Sequence, residues 1–205
     1  MPSLASVARG VQLAQIIFLR HWCEEHNAWA DTAAQPRAAT ESLVTIPHSI
    51  QPFWLEFQAI VGGDVQARFY EAFHFDDNEP AANELARLVL VGTKRATAGL
   101  AWSFEAENRP PPKPSDLSVV TNWQGEPLCV IETKAVATVP FEEVSEEFAA
   151  IEGEGDGSLR CWREVHWVYF GRVCKRIRRV PSPRMPIVCE RFEVIYRGAP
   201  PERAA

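Results

Sequence analysis

The turn at residues 92–97, Gly-Thr-Lys-Arg-Ala-Thr, carries side chains that can perform chemistry. Lys94 and Arg95 supply two cations and Thr97 supplies a hydroxyl, and a loop held between two rigid elements is a common place for function. The alternative is a solvent-exposed helix end, where Lys and Arg are favoured by the helix dipole. Gly92 fits either reading, because a helix often ends in a left-handed residue that glycine adopts without steric cost.

Two periodic segments flank this turn and would position it. Residues 80–91 are amphipathic, and the preceding Asp-Asp-Asn-Glu-Pro at 76–80 supplies helix-starting signals: a capping side chain, an early acid and a proline in the first turn. Residues 96–104 alternate between larger apolar and small or polar side chains, which predicts a strand. The turn is therefore expected to join a helix to a strand.

The second half of the chain is divided by charge. Residues 142–156 contain seven acids and no base, and they end in a glycine-rich Gly-Glu-Gly-Asp-Gly run. Two carboxylates in this run would repel a phosphate, so a phosphate-binding loop is rejected. Residues 158–179 are strongly basic and show helical periodicity. His166 lies on the apolar stripe of that helix, a position typical of a core histidine.

Composition limits the class of protein. The 205 residues suit one sizeable domain, and a net charge of −6 restricts any nucleic-acid contact to a local basic patch. Five scattered cysteines without a Cys-x-x-Cys pair indicate reduced thiols and a cytoplasmic protein, and they speak against a zinc site. No apolar run approaches the roughly 20 residues that span a bilayer, so no membrane association is expected.

The remaining pattern predicts an α+β domain with an extension. Residues 1–47 are interpreted as an N-terminal helical extension and linker, residues 48–197 as the domain and residues 198–205 as a tail. Within the domain the sequence predicts two short helices broken by glycines, an antiparallel hairpin turning at a glycine, a short acidic helix, the basic helix and a final strand. The two helices are expected within 49–73, the hairpin at 117–121 and 128–139, the acidic helix at 141–150, the basic helix at 158–179 and the final strand at 187–196.

Several blocks in this order resemble the ASCH (activating signal cointegrator homology) family over about residues 50–196. Gly92, Lys94 and Thr97 match its Gly-x-Lys-x-x-[Ser/Thr] turn after the first helix. The other blocks are similar to the central hairpin and to the later segments of larger bacterial members: 117–120, 129–133, 148–156, 162–164 and 188–192. One departure is Ser115-Asp116, where the family has Gly-Asp. If this turn requires a positive φ, serine adopts it less readily than glycine, so the turn could differ in geometry from that of the family.

The resemblance implies a PUA-like β-barrel with flanking helices, and a cleft that faces RNA or a modified nucleoside. Some small bacterial members hydrolyse N4-acetylcytidine with a lysine and a threonine of this turn and with a glutamate. Lys94 and Thr97 match the first two positions, and Glu152 matches the third. Other members are described as ribonucleases, and a non-catalytic RNA-binding module is the third alternative. No cofactor or metal ion is expected.

The chemistry of these residues can also be argued directly. Amide hydrolysis needs a nucleophile, a base and an acid for the leaving amine. Thr97 could be the nucleophile if burial or Arg95 kept Lys94 neutral, and Glu152 would then protonate the amine. In a ribonuclease, Lys94 would instead stabilise charge on phosphorus.

Four further residues are expected to bind substrate: Arg95, Trp102, Glu132 and Glu154. Arg95 would contact phosphate, and Trp102 could stack on a base. Glu132 could point inward from its strand, although an edge-facing carboxylate is equally consistent with the pattern. Glu154 is the alternative to Glu152.

Overall fold

The computed structural model describes residues 45–76 and 78–198, which form a mixed five-stranded sheet with helices around it. The strands are β1 (Phe69–Phe73), β2 (Ala96–Leu100), β3 (Leu117–Thr121), β4 (Pro127–Pro140) and β5 (Pro186–Arg197). Their order is β1-β3-β4-β5-β2. Only β1 and β3 are parallel, and the remaining pairs are antiparallel. The α+β class is therefore correct, but the described sheet is open, with β1 and β2 at its edges, and the expected barrel closure is not confirmed.

Five α-helices accompany the sheet in the part of the chain that the structure describes: α1 (Gln51–Val61), α2 (Glu79–Leu90), α3 (Ala101–Ala106), α4 (Glu146–Glu152) and α5 (Leu159–Arg176). The predicted start of α2 is confirmed, because the Asn78 side chain accepts a hydrogen bond from Ala81 N–H and Pro80 lies in the first turn. Ser145 and Ser158 cap α4 and α5 in the same way. Such caps satisfy backbone donors that otherwise have no partner in the helix.

The described residues form three apolar core clusters, and each holds helices against part of the sheet. The first packs α4 and α5 against β2 and the start of β5 through residues such as Ala96, Phe148 and Phe170. The second packs α1 on β1, β3 and β4. The third packs α2 over Val120 and Phe192. Since strand side chains alternate between faces, Thr97 and Glu190 point away from the first cluster, to the face that α2 covers.

Two predicted elements are wrong. The strand predicted for 96–104 ends at Leu100, and residues 101–106 form α3, where Ser103 Oγ donates to Leu100 O at 2.6 Å. The second helix predicted within 49–73 is strand β1. The register of β1 against β3 shifts between Phe69 and Glu71, and this irregularity removes the clean alternation that would have indicated a strand.

The hairpin of β3 and β4 confirms the prediction, and Gly125 in its turn has φ +81°. Ser115 stands where the ASCH family pattern has glycine. It has φ +77°, so the turn requires a positive φ, and serine adopts it. Ser115 N–H donates to Thr133 O at 2.9 Å and Ser115 O accepts from Arg68 Nε at 2.8 Å, so contacts on both sides hold the turn.

The predicted helix and linker at 1–47 fall almost wholly outside the described residues. Of that segment the structure describes only Thr45, Ile46 and Pro47, and Ile46 is buried in the second cluster. Among the described helices none is long and apolar enough to cross a membrane. The described cysteines are free thiols, as expected, and three of the four are buried.

Candidate functional site

Lys94 lies at the centre of a buried cluster of charges. Its Nζ is 3.2 Å from Glu152 Oε1 and 2.6 Å from Glu154 Oε1, and the lysine is only 1% exposed. Lys94 and Glu152 are 58 positions apart in the sequence. Nζ also lies 5.1 Å from the centre of the Phe75 ring, whose π face favours a cation. The structure thus brings together two of the three residues expected to be catalytic.

The backbone on both sides of the cluster is fixed by hydrogen bonds. At the end of α2, the N–H groups of Thr93 and Lys94 both donate to Leu88 O, and Gly92 has the predicted positive φ of 81°. Arg95 N–H donates to Ile151 O at 3.0 Å, which ties the turn to the end of α4. The Lys94 turn (residues 92–97) and the acidic loop after α4 (residues 153–157) therefore form one unit.

Gly153 allows these two segments to approach each other. It ends α4 with φ +68°, and a Cβ at this position would lie 2.5 Å from Thr93 O. Only glycine fits so close to a backbone oxygen in a left-handed conformation. The glycine-rich run thus has a structural role: it places Glu152 and Glu154 on either side of Lys94.

Glu152 accepts hydrogen bonds from three donors. Besides Lys94 Nζ, Ala98 N–H donates to Oε1 at 3.1 Å, and Trp162 Nε1–H donates to Oε2. Ala98 belongs to the edge strand β2, so the carboxylate satisfies a backbone donor that no further strand pairs with. His166 Nδ1–H donates to Trp162 O at 3.0 Å, and its Nε2 lies 3.7 Å from Glu152 Oε2. His166 is a buried residue, as predicted, but it borders this cluster.

The electrostatics overturn one expectation about mechanism. Burial alone would lower the pKa of Lys94, but the carboxylates of Glu154 and Glu152 outweigh it and raise the pKa above its usual range. Burial would likewise raise the pKa of Glu152, whereas Lys94, His166 and the donated hydrogen bonds bring it below its usual range. Lys94 is therefore an ammonium and Glu152 a carboxylate. A neutral Lys94 base and a protonated Glu152 acid do not fit this environment.

The same residues raise the question of a metal ion. Glu152, Glu154 and His166 offer ligand atoms within 4.8 Å of one another. However, Lys94 Nζ already contacts both carboxylates, so a cation occupies the position where their charge is concentrated. A metal ion bound there would meet the lysine at close range, and we assign no metal to this cluster.

A cavity of about 220 Å³ reaches Lys94 from the side of α2, and Arg95, Phe192, Val194 and Arg197 also line it. Pockets that hold whole drug-sized ligands usually span about 300–1,000 Å³, so this cavity suits part of a nucleoside. Arg95 is exposed at its rim. The cavity lies against Lys94, whose side chain is itself fully buried.

Thr97 lies next to the cluster on the other face of the strand. Ala98 N–H contacts Glu152 at the edge of the sheet, while the side chain of Thr97 points to the α2 face and is half-buried. Lys94 extends toward that face as well, since Phe75 belongs to the cluster under α2. The catalytic roles of Lys94, Thr97 and Glu152 stay predictions.

Among the expected substrate-binding residues, Arg95 and Glu154 lie at the cluster, and Trp102 and Glu132 do not. Trp102 is on α3, packs against the first apolar cluster and carries the Arg179 guanidinium 5.0 Å from its ring centre. The carboxylate of Glu132 is taken up by Arg68 at 2.7 Å and Lys134 at 2.6 Å. Glu132 is half-buried on β4, where these two ion pairs hold its carboxylate away from the Lys94 cluster.

A second group of polar residues, on the α2 face, was not predicted from the sequence. Thr133 Oγ1 donates to Glu190 Oε1 at 2.6 Å, and both side chains are buried. Nearby, Arg109 Nη1 contacts Glu71 Oε2 at 2.9 Å. A signal was present, because Val188, Glu190 and Phe192 alternate with Cys189 and Arg191, which places a carboxylate on an apolar face of the strand.

The chain is similar to proteins of one known domain family. The family model of the ASCH domain matches residues 71–196. A crystal structure of an ASCH domain from Lactobacillus crispatus JV V101 superposes with a TM-score of 0.69 at 36% identity, covering 74% of this chain and 96% of that chain. A structure of an Enterococcus faecalis V583 protein assigned to family DUF984 gives 0.67 at 29% identity, covering 73% and 89%. A comparison with curated proteins found no match.

The family match spans more than half of the chain and contains all three residues of the Gly-x-Lys-x-x-Thr turn, the acidic loop and strand β5. The solved ASCH domain is also more than 30% identical over nearly its whole length. The resemblance found in the sequence is confirmed, and the chain belongs to the ASCH domain family.

Proposed function

We propose that this protein hydrolyses the acyl amide of an N-acylated cytosine, as a nucleoside of the N4-acetylcytidine type or within RNA. Its family is associated with RNA-related functions. The observation that carries the proposal is the buried contact between Lys94 and Glu152, because Lys94 lies in the same turn as Thr97 and also lines a cavity. A buried ion pair contributes little net stability because both groups lose their hydration, so a functional role accounts better for its presence.

The proposed part of each residue in this reaction fits its environment. Lys94 stays charged, so its ammonium donates to the acyl oxygen as negative charge develops there. Glu152 holds the ammonium in place and compensates its charge, and Glu154 shares that task. Thr97 supplies the hydroxyl that attacks the acyl carbon. Arg95, exposed at the cavity rim, is suited to a phosphate of the nucleotide or RNA.

A substitution at Thr97 tests this proposal without disturbing the buried charges. The protein is incubated with N4-acetylcytidine, and acetate and cytidine are quantified. Thr97→Val keeps the shape of the side chain and removes the hydroxyl, so we expect kcat/KM to fall by at least about 100-fold. Thr97→Ser keeps a hydroxyl and should retain activity. The matched control is Thr138→Val, the same change at an exposed position of β4.

The same incubation with end-labelled single-stranded RNA separates the alternatives. RNA fragments without acetate release would replace the proposal with a ribonuclease. RNA binding without either product would identify a non-catalytic binding module, with Arg95 and Arg197 as the phosphate contacts at the cavity. Full activity of Thr97→Val on acetylcytidine would exclude Thr97 as the nucleophile.

A further inference from the structure

The side chain of Glu190 lies opposite Thr97 on the neighbouring strand. Thr97 and Glu190 are directly paired between β2 and β5, which are antiparallel. Side chains at directly paired positions point to the same face and have Cβ atoms about 4.5–5.5 Å apart. Ala96 and Ala98 pack into the first apolar cluster, so Thr97 and Glu190 share the opposite face. A small substrate group or a rotamer change can bridge such a distance.

The carboxylate of Glu190 is fixed by one oxygen and available through the other. Thr133 Oγ1 donates to Oε1 at 2.6 Å, and Thr133 itself is 1% exposed. Among the described residues, no hydrogen bond engages Oε2. Glu190 is 9% exposed, so the carboxylate borders on solvent at one side. This arrangement orients a proton-accepting atom and leaves it free to act.

The charges around Glu190 come from three parts of the chain. Burial is the main effect on the pKa of Glu190, which is raised to about 7. Glu71 on β1 and Asp116 before β3 raise this pKa as well, while the Thr133 hydrogen bond and Lys94 lower it. Tyr70 and Arg109 also face this region, since Glu190 and Arg109 both act on the pKa of Tyr70, and Arg109 pairs with Glu71. A carboxyl group that titrates near neutral pH can both accept and return a proton under ordinary conditions.

The buried charges of Lys94 and Glu152 lack that ability. The lysine is held as an ammonium and Glu152 as a carboxylate, so neither exchanges a proton readily at neutral pH. The proposed hydrolysis needs a group that takes the proton of Thr97 and delivers one to the leaving amine. Glu190 faces Thr97, has a free oxygen and lies within the influence of the Lys94 charge.

We infer that Glu190 is the general base and acid of the reaction proposed above, on which this inference rests. As the Thr97 oxygen bonds to the acyl carbon, its proton moves to Glu190 Oε2, and Lys94 stabilises the resulting oxyanion. The carbon–nitrogen bond then breaks, and Glu190 returns the proton to the exocyclic nitrogen of cytosine. Water attacks the acyl-Thr97 ester with Glu190 accepting its proton, and Glu190 then protonates the Thr97 oxygen as the carboxylic acid leaves.

Kinetics as a function of pH test this role, with N4-acetylcytidine as the substrate. For the wild type, kcat/KM should rise with pH to a plateau, with a midpoint near the pKa of about 7, because the base must be ionised. Glu190→Gln should lower kcat by about 100-fold or more with little change in KM. The matched control is Glu147→Gln, the same change at an exposed carboxylate on α4, which should leave the profile unchanged.

Thr133→Val provides a readout that a structural role would not move. It conserves the volume of the side chain and removes the hydrogen bond that favours the ionised form of Glu190. The midpoint of the pH profile should therefore shift to higher pH, while the plateau activity is largely kept. A direct NMR titration of Glu190 in the full chain should give the same midpoint and the same shift.

The outcomes separate this inference from the proposed function. A thermal transition first shows that Glu190→Gln is folded. If the wild type hydrolyses acetylcytidine and this variant keeps full activity, the inference fails and the proposed function stands. An unshifted profile in Thr133→Val, or an NMR midpoint near 4.5, overturns it as well. If the wild type releases no acetate at any pH, the proposed function fails, and the role of Glu190 in that reaction fails as well.

Discussion

Glu152 compensates the charge of Lys94 and also serves donors from two other elements. Its two oxygens accept from Lys94 Nζ, from Ala98 N–H on β2 and from Trp162 Nε1–H on α5. The residue therefore connects the Lys94 turn, the edge of the described sheet and helix α5. A carboxylate can accept from all three at once, because it has only acceptor atoms.

Glu152→Gln is therefore expected to destabilise the fold as well as to reduce activity. An amide has one acceptor oxygen, and its NH₂ group would face one of these donors, which leaves buried groups without partners. Unsatisfied buried groups of this kind cost about 1–3 kcal/mol each, more when a charge is involved. We expect a loss of about 2–4 kcal/mol in the free energy of unfolding, measured by urea denaturation. Glu147→Gln is the control, and an equal stability of both variants would contradict this account.

At this scale the sequence predicted that Lys94 and Glu152 lie together, but not their protonation. The contact between Lys94 and Glu152 agrees with what the family resemblance implied. The ionisation of both groups could not be predicted, because it depends on how deeply they are buried and on the contact of Lys94 with Glu154, which only the folded loop provides. Glu190 was overlooked for the same reason: its neighbours Thr133 and Glu71 lie on other strands and are distant in the sequence.

The acidic loop after α4 is the element that brings the two halves of the site together. Gly153 ends this helix with a positive φ directly against Thr93, and Arg95 N–H donates to Ile151 O. The position of both carboxylates relative to Lys94 depends on this close approach. The loop is thus as important for the site as the residues that carry the charges.

Gly153→Ala should separate the loop from the turn. A left-handed alanine costs about 1–2 kcal/mol by its backbone alone, and the contact with Thr93 O adds to this cost because the backbone cannot rotate away. Gly157→Ala is a matched control, since Gly157 also has a positive φ but a Cβ there meets nothing within 4 Å. In thermal denaturation, we expect Gly153→Ala to lose more stability than Gly157→Ala. Gly153→Ala should also lose acetylcytidine hydrolysis. Equal losses would show that no close approach constrains the loop.

The elements that the sequence predicted well carry local signals. Helices α2 and α5 have capping side chains and regular periodicity, and the hairpin of β3 and β4 has β-branched runs around a glycine turn. Strand β1 and helix α3 have no such signals. The alternation of Leu100, Trp102 and Phe104 imitates a strand, while in the structure Phe104 folds back over Gly99, with ring atoms 3.0 Å from where a Cβ would lie. Tertiary contacts decide the conformation of both segments.

At the scale of the whole molecule, the open sheet explains how one site can be built from distant parts of the chain. Strand β2 is an edge strand of the described sheet, so the outward Ala98 N–H can donate to Glu152 at the end of α4, while Thr97 and Glu190 are paired on the α2 face. The described order is not a closed barrel, although the domain belongs to a family expected to have one. The edge of β2 is where the buried charges and the Glu190 face meet.

Removal of the N-terminal segment tests where the folded domain begins. The expected boundary followed residue 47, but Ile46 is buried with Ile50 and Trp54 in the cluster that holds α1 on the sheet. A chain that begins at Thr45 keeps this contact, and it contains the family match at 71–196 in full. We therefore expect it to retain a single cooperative thermal transition and to keep acetylcytidine hydrolysis.

A chain that begins at His48 should be less stable than the one that begins at Thr45. It loses the apolar surface of Ile46, and full burial of such a side chain is worth about 1.5–3 kcal/mol. Comparison of the two by urea denaturation separates this local contribution from any larger one. If the chain that begins at Thr45 shows no cooperative transition, residues 1–44 supply apolar surface that the described core needs, and the extension is part of the domain. If both chains unfold at the same urea concentration, the contact of Ile46 contributes nothing and the boundary at residue 47 is the correct one.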